Sequence, residues 1–393
     1  MNPPAYLDYA STTPVDPRVA AAMARCLTAD GVFGNPSSTG HVYGAEAQAA
    51  VEAARAQTAA AVGAEPRDVI WTSGATEADN LAIFGLAQHA QELGRHLVTA
   101  RTEHKAVLDP CRELERRGWR VTYLEPGRDG ILDPAQVAAA LRPDTVLVSI
   151  MHVNNEIGVV QDIAAIAEVC ARHGRTRLHV DAAQSVGKCR VDFAGCGADL
   201  MSLSAHKAYG PKGVGALLVS RRRGVQIEAR QFGGGQERGL RSGTVATHQV
   251  VGMGAAFGIA AAEQEADGRR AAALAERLLA GLAALEGIAR NGGGVRAVPQ
   301  IVNLSFEGVE GESLLAAVAA DIAVSTGSAC ASASSEASYV LRALGRDERL
   351  AESSLRFSLG RFTTAAEVDR AVAAVTAAVR RLRRIAGVCA TTN

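Results

Sequence analysis

Four lysines and one cysteine hold the chemistry this sequence advertises most plainly. Of 41 basic residues only Lys105, Lys188, Lys207 and Lys212 are lysines, which leaves 37 arginines. A guanidinium stays protonated, whereas a lysine amine can lose its proton and attack a carbonyl. A chain that fills its basic positions with Arg singles out the lysines it keeps, although chance survival is the simplest account of Lys188 and Lys212. Lys207 lies in "DLMSLSAHKAYGPKG" (199–213), where an apolar run ends in Ser204 and is followed by His206, Lys207 and a Gly/Pro turn. Cys330 lies in "VSTGSACASASS" (324–335), among Ser, Thr, Gly and Ala with no bulky neighbour. A structural cysteine behaves as a small hydrophobe and keeps apolar company. So small and polar a run reads as an exposed, mobile loop, where a thiol is available as a nucleophile.

Other polar residues recur just past apolar runs. "DVIWTS" is followed by Gly74, Ala75 and Thr76 and then a helical pattern. Small residues entering a helix leave backbone N–H groups to hold an anion, although a plain helix cap is the commoner role. His104 follows "HLVTA", a junction where most histidines are structural. Asn154, Asn155 and Glu156 follow "TVLVSIM", and Asp181 and then Gln184 follow "RLHV". An Asp closing an apolar strand costs desolvation unless it meets a cation or donors. A lysine at a strand end, an anion-holding helix start and an acid nearby together suit pyridoxal phosphate. Lys207 would hold its aldehyde as a Schiff base, and Asp181 would keep its pyridine nitrogen protonated. Thr76, Ser204 and His206 would take the phosphate. "FGGGQERGLRSGT" (232–244) is glycine-rich and ends in Thr244, and a long surface turn explains it equally well.

The elements that must position these residues alternate. Between about 50 and 220, β-branched runs at 68–73, 96–100, 120–125, 145–151, 177–181, 199–204 and 215–220 are separated by Ala- and Leu-rich helical stretches. That order argues an α/β fold with a mainly parallel sheet covered by helices. Ligands on such sheets bind at the carboxyl ends of strands. Beyond about 260 come a long Ala/Leu/Arg helix, "IVNLSF", "LRFSLG" and a terminal helix to about Arg384, which suggest a smaller α+β part. The expected division is a large cofactor-binding domain at 15–260, and a small domain of 1–14 and 261–393 that presents the Cys330 loop (about 322–338). The 393 residues are 48% hydrophobic and 21% charged with a formal net charge of zero, giving no electrostatic case for nucleic acid or an anionic membrane. No apolar run is long enough to span a bilayer, and "MNPPAYLDYA" lacks the pattern of a signal peptide. A cytoplasmic location is expected. The seven scattered cysteines form no CxxC or Cys/His cluster, so they read as reduced thiols.

These residues carry a resemblance. The chain resembles the cysteine desulfurases of the NifS/IscS type, in the class-V aminotransferase family of fold-type-I pyridoxal phosphate enzymes. The likeness runs from "YLDYASTTPVDPRV" to "LRFSLGRFTTAAEVDRAV" through "TSGATEADNLAI", "TEHKAVLDPC", "MHVNNEIGVVQDI", "HVDAAQSVGK", "AHKAYGPKG" and "STGSACASAS". It implies that Lys207 carries the cofactor, that His104 stacks on its ring, that Asp181 meets the pyridine nitrogen and that Gln184 meets the ring hydroxyl. It further implies that Ala75, Thr76, Ser204, His206 and Thr244 hold the phosphate, Thr244 from the second subunit of a homodimer. Asn155, beside the cofactor, and Arg356 would clamp the carboxylate of L-cysteine. Sulfur would leave as a persulfide on Cys330, with L-alanine as product, bound for an iron–sulfur scaffold protein and other acceptors. Cys330 would also serve as a transient iron–sulfur ligand with that partner. Thr326, Ala331 and Ala337 depart from the family's usual loop residues. Two rivals share parts of this kit: an aminotransferase or selenocysteine lyase of the same fold, which needs no nucleophilic loop cysteine, and a sulfur carrier without catalysis.

Overall fold

In "DVIWT", "HLVTA" and "TVLVS" apolar side chains occupy successive positions, so neither face of the resulting strands can be left to water. The computed structural model, which describes residues 3–292, 296–326 and 337–387, meets that demand with a seven-stranded sheet between two helical layers. In chain order the strands are β1 (Ala5–Tyr6), β2 (Val69–Thr72), β3 (His96–Ala100), β4 (Arg120–Leu124), β5 (Thr145–Ser149), β6 (Arg177–Asp181), β7 (Leu200–Ser204), β8 (Gly215–Val219), β9 (Ile288–Arg290), β10 (Ile301–Phe306), β11 (Ile322–Ala323) and β12 (Ser354–Ser358). The large sheet has the order β2-β8-β7-β6-β5-β3-β4, and β8 alone runs against its neighbours. All seven strands lie within two residues of the β-branched runs that predict them.

Alternate residues part to opposite faces. Val69, Trp71, Val98, Val148 and Leu218 pack in one cluster with residues of helices Val42–Ala61, Ile163–His173 and Thr247–Leu282. Ile70, Leu97, Leu147 and Leu217 meet helices Ala75–Ala90 and Lys105–Arg116 in another. Complete burial of one such side chain contributes about 1.5–3 kcal/mol, so both faces hold the sheet in register.

The rest of the chain builds a second core. An antiparallel sheet of order β12-β10-β9 and a parallel pair β1-β11 pack with the terminal helix Ala365–Ile385. Leu7, Leu304, Phe306, Leu314, Phe357 and Val375 fill that core.

The helix Thr247–Leu282 joins both cores. It runs for 36 residues and starts well before the expected 260. Val250, Met253 and Phe257 belong to the first core, Leu274, Leu278 and Leu282 to the second, so a division at 260 falls inside a continuous helix. Gly252, Gly254 and Gly258 obscure its start, because glycine is a poor helix former. Two of them serve packing instead. A Cβ on Gly254 would lie 2.8 Å from Ala54 Cα, and one on Gly252 would lie 2.8 Å from Met23 Cγ. No helix among the described residues is long and apolar enough to cross a membrane.

Candidate functional site

The parallel strands point their carboxyl ends to one rim of the large sheet. A cavity of about 570 Å³ opens there and is lined by Ala75, Thr76, His104, Asn155, Asp181, Gln184, Ser204, His206, Lys207 and Arg356. Ten residues scattered over 282 positions of sequence thus face one space, which is where the rule for parallel sheets puts a ligand.

One wall is a helix start. Gly74 leaves β2 at φ +155 and no side chain of its own caps the helix Ala75–Ala90. The first-turn N–H groups there form a ready anion site. Close approach of β8 shapes this turn, since a Cβ on Gly215 would lie 2.5 Å from the Leu203 carbonyl oxygen and 2.7 Å from the Gly74 main chain. Ser204 Oγ is buried nearby with no hydrogen-bond partner among the described residues. His206 Nδ1 lies 3.1 Å from Thr12 Oγ1. Burial, then the charge of Lys207, pushes the His206 imidazole down to about 4.

A second wall carries acids. Asp181, closing β6, is buried and its Oδ1 accepts from the Ala183 N–H at 2.9 Å. Beside it lies Asp79, wholly buried, with His179 Nε2 3.5 Å from its Oδ1. Burial, and then Asp181, hold the Asp79 carboxyl well above the usual carboxylate range. His179 is held in turn by Ser149 Oγ at 2.8 Å and Ser202 Oγ at 2.9 Å. Opposite in sequence logic, His104 is the N-cap of helix Lys105–Arg116, and its Nδ1 accepts from the Ala106 N–H at 3.1 Å. The neutral ring therefore carries its proton on Nε2. Burial, then Lys207, hold the His104 imidazolium below its ordinary range. Lys207 itself sits in the short 3-10 turn Ala205–Lys207 that follows β7.

The third wall is cationic. Arg356, in the middle of β12 and 2% exposed, donates to Asp8 Oδ1 at 2.8 Å, Ser11 Oγ at 2.7 Å and the Asn155 carbonyl at 2.8 Å. Its Nε and the Asn155 Oδ1 are buried without partners among the described residues. The segment expected to carry the nucleophile begins and ends here. Ser325 pairs through its main chain with Arg356, and Ser338 Oγ donates to Glu156 Oε2 at 2.5 Å. Cys330 itself lies outside the described residues. Thr244 is exposed and does not line the cavity. Among the described residues no cluster of three or more His, Cys, Asp or Glu could hold a metal ion.

Sequence reasoning passed over Asp8, Ser11, Thr12 and Asp79. The first three belong to "YLDYASTT", whose density of small polar residues before the first helix was the available signal. Asp79 occupies a position in a helix that a solvated carboxylate would suit equally well.

A buried polar atom left unpaired costs about 1–3 kcal/mol. Ser204 Oγ, Gln184 Oε1 and Asn155 Oδ1 are three such atoms bordering one cavity. With an anion-holding helix start, a strand-end carboxylate and a lysine, they fit pyridoxal phosphate. Comparison with known proteins points the same way. The pattern of the class-V aminotransferases matches residues 5–371. The cysteine desulfurase IscS of Azotobacter vinelandii is 58% identical over 385 residues, covering 98% of this chain and 95% of that protein, and IscS of Pseudomonas aeruginosa gives the same figures. Among solved structures, a NifS-like protein superposes with a TM-score of 0.87 at 32% identity, over 98% of this chain and 100% of the other. A structure described as SspA in complex with cysteine gives 0.80 at 38%, over 92% and 100%. A match that takes in every wall of the cavity, at such identity and length, leaves one conclusion: the chain belongs to the class-V aminotransferase family.

Proposed function

We propose that the protein is a pyridoxal phosphate-dependent cysteine desulfurase, which takes sulfur from L-cysteine, releases L-alanine and carries the sulfur as a persulfide on Cys330. One observation carries this reading. Both described ends of the segment that contains Cys330 are fastened to residues of the cavity, at Arg356 and Glu156. Cys330 follows Ser325 by five positions of sequence, at most about 18 Å of extended chain. A transaminase of the same fold needs no such tether.

In this reading the helix start at Ala75 and Thr76, with Ser204 and His206, holds the cofactor's phosphate. Asp181 holds the pyridine nitrogen, Gln184 the ring hydroxyl, and Lys207 the carbonyl carbon. When bound, the cofactor supplies an electron sink that acidifies the substrate Cα–H and eases C–S cleavage. Arg356 and Asn155 bind the substrate carboxylate, Arg356 through the planar geometry that suits carboxylates. Lys207, as amine, takes the Cα proton, and His104 shares it through Nε2. The Cys330 thiolate attacks the substrate sulfur: an S–S bond forms, the C–S bond breaks and Cβ gains a proton. The balance is L-cysteine plus Cys330–SH giving L-alanine plus Cys330–S–SH.

We further infer a homodimer, in which Thr244 of each chain serves the phosphate of the other; its exposure at the end of a glycine-rich segment supports this. The acceptors would include a scaffold protein for iron–sulfur assembly, with Cys330 as a passing ligand of the cluster. The five described cysteines are all unpaired thiols, which accords with a reducing, cytoplasmic setting. The test is to incubate the protein with L-cysteine, assay alanine and map the added mass. Alanine with +32 Da (one sulfur, about 32) on Cys330 is expected, and Cys330→Ala should lower alanine formation at least about a hundredfold. Full alanine formation by Cys330→Ala would sink the reading.

A further inference from the structure

Thr13 is a buried polar residue, 3% exposed, that does not line the cavity but reaches the turn that carries Lys207. Its Oγ1 donates to the His206 carbonyl at 2.9 Å and accepts from the Tyr209 N–H at 2.8 Å. The direction of each bond is fixed, since a carbonyl only accepts and an N–H only donates. The Thr13 N–H donates to the same His206 carbonyl at 2.8 Å. His206 immediately precedes Lys207 and Tyr209 follows it by two positions, so one hydroxyl ties together both sides of the lysine.

A peptide unit is planar, so holding its oxygen also orients the N–H at its other end. The unit entering Lys207 is held at the His206 oxygen by Thr13, and the unit leaving it is held at the Lys207 oxygen by Lys188 Nζ at 3.2 Å. The N–H groups of Ala208 and Gly210 both return to the Ala205 carbonyl at 3.0 Å, which closes the turn tightly. Tyr209 takes φ +62 here. Bulky side chains rarely adopt that left-handed conformation, and it persists only where the surroundings impose it. They do so at every polar group of the residue. Its N–H goes to Thr13, its carbonyl accepts from the Asp16 N–H at 3.0 Å, and its hydroxyl accepts from the Arg361 N–H at 2.5 Å. The Arg361 guanidinium lies 4.4 Å from the centre of its ring.

We propose that Thr13 is a positioning residue for Lys207: its hydroxyl locks the strained turn at Tyr209 and so aims the Lys207 amine at the carbonyl carbon of pyridoxal phosphate. The inference rests on the reading that Lys207 carries the cofactor. Without the hydroxyl, Tyr209 can relax towards negative φ and the lysine loses its aim. The Thr13 N–H and Thr12 Oγ1 keep their hold on His206, so the hold on the phosphate is spared.

Thr13→Val nearly keeps the shape of the side chain and removes only the hydroxyl. In the test, the full chain freed of cofactor is mixed with pyridoxal phosphate and quenched with borohydride at set times, and the mass fixed on Lys207 is followed. Pyridoxamine phosphate carries an amine in place of the aldehyde and cannot bond to a lysine, so its equilibrium dialysis measures the pocket alone. Thr13→Val is expected to attach pyridoxal phosphate at least about tenfold more slowly than wild type. Its affinity for pyridoxamine phosphate should stay within about twofold, and Thr13→Ser should regain the wild-type attachment rate within about twofold. A wild-type attachment rate in Thr13→Val overturns the proposal. An equal loss of attachment and of pyridoxamine phosphate binding, the mark of a merely structural role, overturns it too. If Thr13→Val does not fold, hydrogen exchange of the Tyr209 amide in the cofactor-free wild type decides. Slowing of at least about a hundredfold against an open amide is expected, and exchange at the open rate overturns the proposal. Failure of the cofactor reading shows separately, as a wild-type chain in which no mass is fixed on Lys207.

Discussion

Arg356 shows how one side chain can be both structural and available. Its NH1 and NH2 groups are engaged by Asp8, Ser11 and the Asn155 carbonyl, while Nε is unpartnered among the described residues. A lysine would keep the charge and lose the planar fork. Arg356→Lys is therefore expected to raise KM for L-cysteine by about tenfold, one charge-assisted hydrogen bond's worth, with kcat changed less. Steady-state kinetics with alanine as readout checks it. The buried His179 makes a prediction of another kind. Unfolded, its imidazole takes a proton below about 6.5; folded, burial holds it off until about 4. The unfolded state binds the extra proton in that window, so stability is lost as pH falls from 6.5 towards 4, by up to about 1.4 kcal/mol per pH unit. His179→Gln should flatten the stability profile over that range in urea unfolding at three pH values, and an unchanged slope would count against the burial argument. Lys207, Asp181 and His104 were legible because each follows an apolar run. Asp8 and Asp79 were not, because their surroundings come from partners far off in the chain, such as Asp8 bonded to Arg356.

At the scale of elements, the large sheet could be read from sequence because every strand except the edge strand β4 is a mainly apolar run buried along nearly all its length. The two-residue strands β1 and β11 offer no such pattern; pairing with each other creates them. The glycine-bearing start of the helix Thr247–Leu282 was hidden for a similar reason, since its value lies in what packs on it. Gly215 on β8 carries this logic into the site. Its missing Cβ lets β8 press on the Gly74 turn that opens the anion-holding helix. Gly215→Ala would force that turn away from β7 and β8. Cofactor retention should fall by at least about tenfold, equivalent to roughly 1.4 kcal/mol, measured by equilibrium dialysis against pyridoxal phosphate. Retention equal to wild type would show that the turn yields without cost.

For the whole molecule, the expected partner copy has surface to explain it. Phe33 and Tyr43, 51% and 53% exposed, have ring centroids 5.2 Å apart, next to the exposed Val42, and Phe232 in the segment leading to Thr244 is 83% exposed. Large exposed apolar side chains grouped this way mark contact surfaces. The double change Phe33→Asp, Tyr43→Asp should halve the mass seen by light scattering at micromolar protein and weaken cofactor retention as Thr244 is withdrawn. A wild-type chain that is monomeric at that concentration and holds its cofactor fully would contradict the shared site. Within one chain the organisation is also unitary. The helix Thr247–Leu282 spans about 54 Å at 1.5 Å per residue and is packed into both hydrophobic cores. An enzyme whose two lobes are joined by a loose linker can open like a jaw to admit its substrate. Here such a gape would have to bend a stiff rod or peel it from one core. Admission of substrate and exit of sulfur are therefore expected to leave this helix seated in both cores.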